Sequence, residues 1–388
     1  MRNSAEIVII GGGVVGASAA FHLTERGARN VLILEREARL GLGSTGKATG
    51  GVRAQFETEI NIRMSLYSID FFRKFNEITG VDCGYEPRGY LFFATDEAQL
   101  DYLRRTSQKQ KSLGLEKVEI VDAETIAEIV PGMNCADVVG GSFCSTDGFI
   151  DPFGVLEGFA KKATENGAEI EFSTTVSAIE TENGKVKSVE TNRGRIETEN
   201  VVLTAGAWAR EIAETAGIDL PVEPLRRQIV WARSPQELPA NLPMVIDIGT
   251  GFHFRPAKNS LTEVLFAYPD RDEKPTFKTD FDEEFIAKVY EKAKSRAPFL
   301  AETSVVREKC RAGLYENTPD HHAIIGGCEI EGLYFCNGFS GHGVMHSPAS
   351  GRAVAEILLD GAASFMDVSM LDLKRFAESR LIHETSFI

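Results

Sequence analysis

Three glycines and one carboxylate carry the first recognisable chemistry in this chain. Gly11, Gly13 and Gly16 fit G-x-G-x-x-G, and Glu35 follows about 20 residues later. The first glycine permits a tight turn. The second lets the backbone approach a pyrophosphate, and the third lets a helix pack closely on a strand. A carboxylate at the distance of Glu35 takes a ribose diol, and no basic pair stands there for a 2′-phosphate. The motif by itself does not separate one dinucleotide from another. A second glycine-rich stretch, Asn337-Gly-Phe-Ser-Gly-His-Gly343, holds a polar ring, His342, inside its turn. A third, residues 40–56, is rich in Gly, Ser and Thr, so a flat ring could approach its backbone; Arg53 is the first strong cation after its glycines.

The elements needed to position these groups are legible. Ile7–Ile10 is a short β-branched run, as expected of a strand buried on both faces. A helix beginning with Ala17, Ser18, Ala19 and Ala20 follows, with Gly27 as its stop, and Val31–Leu34 forms the next strand. Near the C-terminus residues 332–336 form a strand, the second glycine turn follows, and Ser347 to Leu359 form an apolar helix with Pro348 in its first turn. Each strand–turn–helix unit offers a helix N-terminus to an anion. Two such sites suit a long ligand with two anionic ends. FAD fits, with its diphosphate at the first and the N1–C2=O edge of the reduced flavin at the second, whereas NAD has no use for the second. The strand ending Thr204-Ala205-Gly206 is a further point of backbone approach.

Between these landmarks residues 58–79 have helical apolar spacing, closed by Gly80. Tyr85 and residues 89–94 read as strands, 96–113 as an amphipathic helix, 120–130 as containing a short helix, and 138–143 as a strand. This block lacks βαβ alternation and reads as an insertion of different architecture. Asp151-Pro152 opens a helix to Asn166. Strands at 169–173, 176–181, 185–191 and 194–198 read as a meander, and Trp208–Ala216 as a helix. Strand-like runs at 228–232, 251–256 and 262–268, with a helix at 281–296, read as the second half of a substrate domain.

The 388 residues allow two domains and a large core. The net charge of −15 argues against a nucleic-acid surface. No apolar run reaches the length of a membrane span, and no cleavable leader is expected before the first strand. The six cysteines form no C-x-x-C and no zinc-type spacing with histidines, so reduced, mostly buried thiols, a cytoplasmic protein and no metal are expected.

The motifs IIGGGVVG with Glu35, GLGSTGKATGGVR, VVLTAGAW, RAGLYENTPDHHAIIG and GFSGHGVMHSPASG occur in that order along nearly the whole chain. In these the chain resembles the FAD-dependent D-amino-acid-oxidase-type oxidoreductases, in particular the group holding sarcosine oxidase, glycine oxidase, dimethylglycine dehydrogenase and the β subunits of heteromeric sarcosine oxidase and proline dehydrogenase. The resemblance implies an α/β fold with an α+β second domain. It implies a Rossmann-like FAD-binding domain from residues 1–83, 149–219 and 318–370, a substrate-binding domain built around a mixed β-sheet from 84–148 and 220–317, and a C-terminal tail, 371–388. It implies FAD contacts from Gly11, Gly13, Val14, Val15, Gly16, Glu35 and Arg36, and from Ser44, Thr45, Gly50 and Gly51. Val176, Ala205, Gly206, Trp208 and Gly313 are expected to join them, with Gly338, Ser340, Gly341, His342, Gly343, Val344 and Met345.

Relatives that attach FAD covalently use a cysteine where Gly313 stands or a histidine where Lys47 stands, so non-covalent FAD is expected here. Met345 replaces a lysine that helps bind the substrate carboxylate in sarcosine oxidase. The implied reaction is oxidation of a small secondary or tertiary amino acid by hydride transfer from the carbon next to nitrogen to flavin N5, giving an imine. Arg53, Tyr315 and His253 are the candidates for holding the substrate carboxylate, and His342 is placed against the flavin. Monomeric sarcosine oxidase carries a lysine for oxygen reduction where Leu265 stands, and no lysine or arginine occupies residues 262–268. A dehydrogenase rather than an efficient oxidase is therefore expected, and the acceptor is oxygen, a quinone, a carrier protein or an FMN-bearing partner subunit. Three readings stay open: a self-sufficient amine oxidoreductase, a β subunit of a hetero-oligomer, and a non-catalytic FAD-binding protein.

Overall fold

The computed structural model describes residues 2–384; the last four residues of the expected tail lie outside them. A six-stranded sheet runs in the order Ile324–Gly327, Leu333–Asn337, Asn200–Leu203, Ile7–Ile10, Val31–Leu34, Glu169–Glu171. All neighbours are parallel except Ile324–Gly327. Strand alternation splits Ile7–Ile10 between two cores. Ile7 and Ile9 join the helical layer, and Val8 and Ile10 join the layer formed by Val176–Glu182, Lys185–Thr191 and Gly194–Glu197. Both faces are covered, which is why this run is apolar throughout.

On the helical face Val14–Glu25 packs against Gly343–Asp360 and Pro152–Glu165. A Cβ on Gly351 would strike Ser18, and the Ser18 hydroxyl donates to the Ser347 carbonyl at 2.7 Å. The two helices that follow the two glycine turns are thus locked to each other. Phe21, Phe75 and Phe159 fill the space beside them, each stabilising by roughly 1.5–3 kcal/mol on full burial.

The second sheet is mixed. Its main path is Ser304–Val305, Glu223–Arg233, Glu263–Ala267, His253–Pro256, Met244–Asp247, Tyr90–Ala94, Gly140–Cys144, Val118–Val121, and Arg311–Asn317 pairs along the first half of the long strand Glu223–Arg233. Only Met244–Asp247 with Tyr90–Ala94 is parallel. The fold is therefore of the expected α/β type, with a mixed second sheet.

Three local expectations are corrected. Glu169–Glu171 pairs in parallel with Val31–Leu34 and is not part of the meander, because it returns from a helix and so makes a βαβ crossover. Tyr85 is not in a strand; only its neighbour Glu86 makes a single bridge, to Phe149. The last long helix begins at Gly343 rather than Ser347, which puts Pro348 inside it. Pro348 lacks the N–H that would bond the Val344 carbonyl, and the Ser347 hydroxyl donates to that carbonyl instead, at 2.9 Å.

Candidate functional site

A cavity of about 480 Å³ opens where the carboxyl ends of the first sheet face the second sheet. At one end is the first glycine turn. Gly11 has φ +108°, and a Cβ there would meet the Thr204 carbonyl oxygen at 2.6 Å. A Cβ on Gly16 would collide with the Gly11 carbonyl. Gly13 differs: a Cβ there would meet only Thr45 Oγ1, at 3.5 Å, so packing within the protein does not require that glycine. Glu35 is fixed by backbone donors, Gly12 N–H at 2.9 Å and Glu37 N–H at 2.9 Å. Arg36 lies over the Trp208 ring at 3.5 Å.

The middle of the wall is the loop before Arg53. Lys47 and Gly313 abut each other there, with a Cβ on Gly313 only 3.1 Å from Lys47 Cβ. Gly50 has φ +77°, and a Cβ on Gly51 would run into the Tyr90 hydroxyl.

Arg53 marks the other end. It is 4% exposed, donates to the Gln55 carbonyl at 2.6 Å, and lies 3.4 Å from His342 Nε2. Its guanidinium sits 4.0 Å from the Phe56 ring centroid. It forms no ion pair with any described carboxylate. Asp147 holds the segment in place by accepting from Ala54 N–H at 2.9 Å and Gln55 Nε2 at 3.1 Å. Burial pushes the Asp147 carboxyl up to about 6. Burial, with Arg53 nearby, holds His342 well below its ordinary value, so its ring is neutral. His253 is also lowered by burial; its Nδ1 donates to the Gly251 carbonyl at 2.8 Å, leaving Nε2 as an acceptor. Burial raises Tyr315, which stays protonated.

The chain matches the family described as FAD dependent oxidoreductase over residues 6–357. It belongs to that family. It is 30% identical to FAD-dependent oxidoreductase domain-containing protein 1 of Xenopus laevis, across 99% of this chain and 85% of that protein. It is 27% identical to the mitochondrial dimethylglycine dehydrogenase of Mus musculus, covering 97% of this chain but 45% of that one. Among solved structures, L-proline dehydrogenase from P. horikoshii superposes with a TM-score of 0.90 at 32% identity, covering 98% and 100% of the two chains. Glycine oxidase from Geobacillus kaustophilus gives 0.85 at 25% identity, covering 96% and 99%.

As a member of the FAD dependent oxidoreductase family, the chain is an enzyme with FAD as its cofactor. The residues present fit that group. Gly13 is a cradle that only a ligand needs to be bare, Glu35 is held in place for a ribose, and the elongated cavity reaches both helix N-termini. Of the residues singled out in the sequence, His342, Tyr315, Arg53 and His253 all line this one cavity, as do the expected FAD-contacting residues with three exceptions. Gly16, Gly338 and Ser340 are off the wall. Gly16 packs against Gly11 and Thr204, and a Cβ on Gly338 would meet Thr318 Cγ2 at 2.5 Å. Ser340 accepts from Thr318 N–H at 3.2 Å and has φ +51°. These three shape the turns that present their neighbours.

Four charged residues on the wall escaped the sequence reading, Glu37, Glu211, Arg227 and Glu316, and the last two adjoin Tyr315. Arg227 follows Arg226 on the strand Glu223–Arg233; Arg226 pairs with Glu273 at 3.0 Å, and Arg227 faces the cavity. Strand alternation was the signal that could have found it. Glu316 accepts from Phe339 N–H at 3.3 Å, and burial pushes it up to about 7. Its place beside Tyr315 in the YENTPD motif was the signal. Among the described residues no cluster of metal-ligating side chains occurs, and no helix is long and apolar enough to cross a membrane.

Proposed function

We propose that this enzyme oxidises a small secondary or tertiary amino acid, sarcosine-, dimethylglycine- or proline-like, to an imine. The carrying observation is Arg53, a buried guanidinium facing the cavity that forms no ion pair with a described carboxylate. Its charge is suited to the substrate carboxylate, in charge-assisted bonds that are strong where water is excluded. FAD, when bound, accepts the hydride from the carbon next to nitrogen. The protein's share is to hold the substrate and keep its amine neutral. The positive charge of Arg53 disfavours an ammonium ion, and the neutral rings of His342 and His253 and the protonated Tyr315 bring no negative charge to offset it. In this reading the segments 1–83, 149–219 and 318–370 bind FAD, and 84–148 and 220–317 cap the substrate. Lys47 and Gly313 offer neither a thiol nor an imidazole, so FAD is held without a covalent bond. Acid precipitation should release all the yellow colour, and colour left in the pellet would refute this.

The deciding experiment is anaerobic addition of sarcosine, dimethylglycine, proline, glycine and D-amino acids to the yellow holoenzyme. Bleaching by a secondary or tertiary amino acid is the expected result. Failure of every amino acid to bleach it would overturn the reading.

A further inference from the structure

Arg53 is not the only cation on the cavity wall that makes no ion pair with a described carboxylate. Arg227 stands on the same wall; its Nε is buried with no partner, and its Nη1 donates to the neighbouring Arg226 carbonyl at 3.2 Å. The acids nearest to it are already paired. Glu273 is held by Arg226 at 3.0 Å, and Asp270 by Lys288 at 2.8 Å. Glu316, the acid on the wall beside Tyr315, is turned to Phe339 N–H and makes no ion pair with either arginine. Tyr315 and His253 feel both cations, so they stand near Arg53 and Arg227 alike. The guanidinium of Arg227 is 5.7 Å from the Tyr315 ring centroid. The first glycine turn is built against Thr45 and Thr204, whereas Arg227 stands with Tyr315.

We infer that the substrate carries two acidic groups: an α-carboxylate held by Arg53, and a second carboxylate, on the side chain or on the nitrogen substituent, held by Arg227. This rests on the amino-acid-oxidising reading of the same cavity. A charged residue left unpaired in a partly buried wall costs free energy, and an anion that arrives with the substrate removes that cost. A substrate with one carboxylate would leave one arginine unanswered.

The test titrates the holoenzyme with butanoate and glutarate, acids that differ by one carboxylate, and follows the flavin absorbance. Glutarate should bind at least about tenfold more tightly. Arg227→Gln should abolish that preference while leaving butanoate affinity unchanged, and Arg227→Lys should restore part of it. Equal affinity for the two acids in the parent enzyme would overturn the inference while leaving the proposed function intact. So would a glutarate preference that survives Arg227→Gln, or loss of FAD from both variants. If neither acid binds and no amino acid bleaches the flavin, the functional reading itself fails, and this inference with it.

Discussion

The two ends of the cavity are built in different ways. At the dinucleotide end, backbone does the work. Gly11, Gly13 and Gly16 set the path of one short turn, and the Glu35 side chain beside it is fixed by N–H groups of residues 12 and 37. At the substrate end, side chains do the work, and they come from far apart: Arg53 after a loop, Arg227 and His253 from two strands of the second sheet, Tyr315 from a third, His342 from the second glycine turn. At the first end an added Cβ clashes at Gly11 and Gly16, while at Gly13 the protein itself leaves room for one. The second is defined by charges held in a low-dielectric setting, so its residues matter for what binds there rather than for the fold.

The largest effect should separate two roles within the first end. Gly16→Ala drives a Cβ into the Gly11 carbonyl and should cost more than about 4 kcal/mol, leaving no stable holoprotein. Gly13→Ala has room for its Cβ in the protein and should leave the melting temperature of the FAD-free chain unchanged while weakening FAD binding. Thermal unfolding of both variants, with and without FAD, makes the comparison. Equal loss of apoprotein stability in the two would mean that Gly13 is a packing residue after all.

Next in size is Arg53→Ala at the other end. The flavin spectrum should stay nearly intact, while affinity for a competitive carboxylate falls by on the order of 2–5 kcal/mol. An unchanged inhibition constant would remove Arg53 from the substrate site.

The charge-defined end should also make stability depend on pH. Burial lowers His346 to about 3 and holds His342 well below its ordinary value. A histidine with a depressed folded pKa contributes stability that is present above the unfolded value of 6.5 and is lost as pH falls toward the folded pKa, because the unfolded chain binds the proton first. Asp147, raised to about 6, and Glu316, raised to about 7, act oppositely: their contribution is present below their unfolded values and is lost as pH rises through the folded ones. More histidines are lowered than carboxyls are raised, and each fully titrating group changes stability by about 1.4 kcal/mol per pH unit. Urea midpoints of the holoenzyme should therefore fall from pH 6.5 to pH 4.5, less steeply in His346→Gln. Midpoints that rise on acidification would show the two carboxyls dominating.

The contrast between the ends also explains what could be read from the sequence. A backbone-built site needs glycines at fixed spacing between a strand and a helix, and that pattern is local, so the first turn, Glu35 and the second turn were all legible. Gly16 packs within its turn as the motif predicts, and Gly338 and Ser340 lie behind the cavity wall, because spacing reveals that a position is tight and not what it is tight against. Arg227 was missed because its role depends on which face of Glu223–Arg233 points inward and on Glu273 and Asp270 being taken by other cations, facts fixed by strands and loops remote in sequence. Glu169–Glu171 was assigned to the wrong sheet for a related reason. A three-residue strand carries its partner in the topology and not in its own residues.

The smallest effect is expected from the cations nearest the strand where monomeric sarcosine oxidase has its oxygen-activating lysine. Leu265 itself is buried off the cavity wall, in register with Arg255 on the adjacent strand, and paired residues share a face of the sheet. A cation is therefore closer to this position than residues 262–268 alone indicated. Burial lowers Arg255 to about 10, which leaves it charged at neutral pH. Both of its terminal nitrogens, however, are committed to backbone, Nη1 to the Pro256 carbonyl at 2.8 Å and Nη2 to the Thr49 carbonyl, and only the buried Nε has no partner. Arg311 is held in the same way, by the Lys47 and Ala48 carbonyls at 3.1 and 3.0 Å. Neither guanidinium reaches the cavity surface. One-electron reduction of oxygen creates an anion beside the ring, which a fixed cation stabilises strongly only where it faces that anion directly. Arginines that brace the loop from behind should supply little of this. Enzyme reduced by substrate without oxygen and then mixed with aerated buffer in a stopped-flow instrument should reoxidise slowly, yet turn over fast with an artificial acceptor, and Arg255→Met should leave the reoxidation rate nearly unchanged. Reoxidation as fast as reduction, with stoichiometric hydrogen peroxide and a clear slowing in Arg255→Met, would make the enzyme an oxidase and Arg255 the source of its charge.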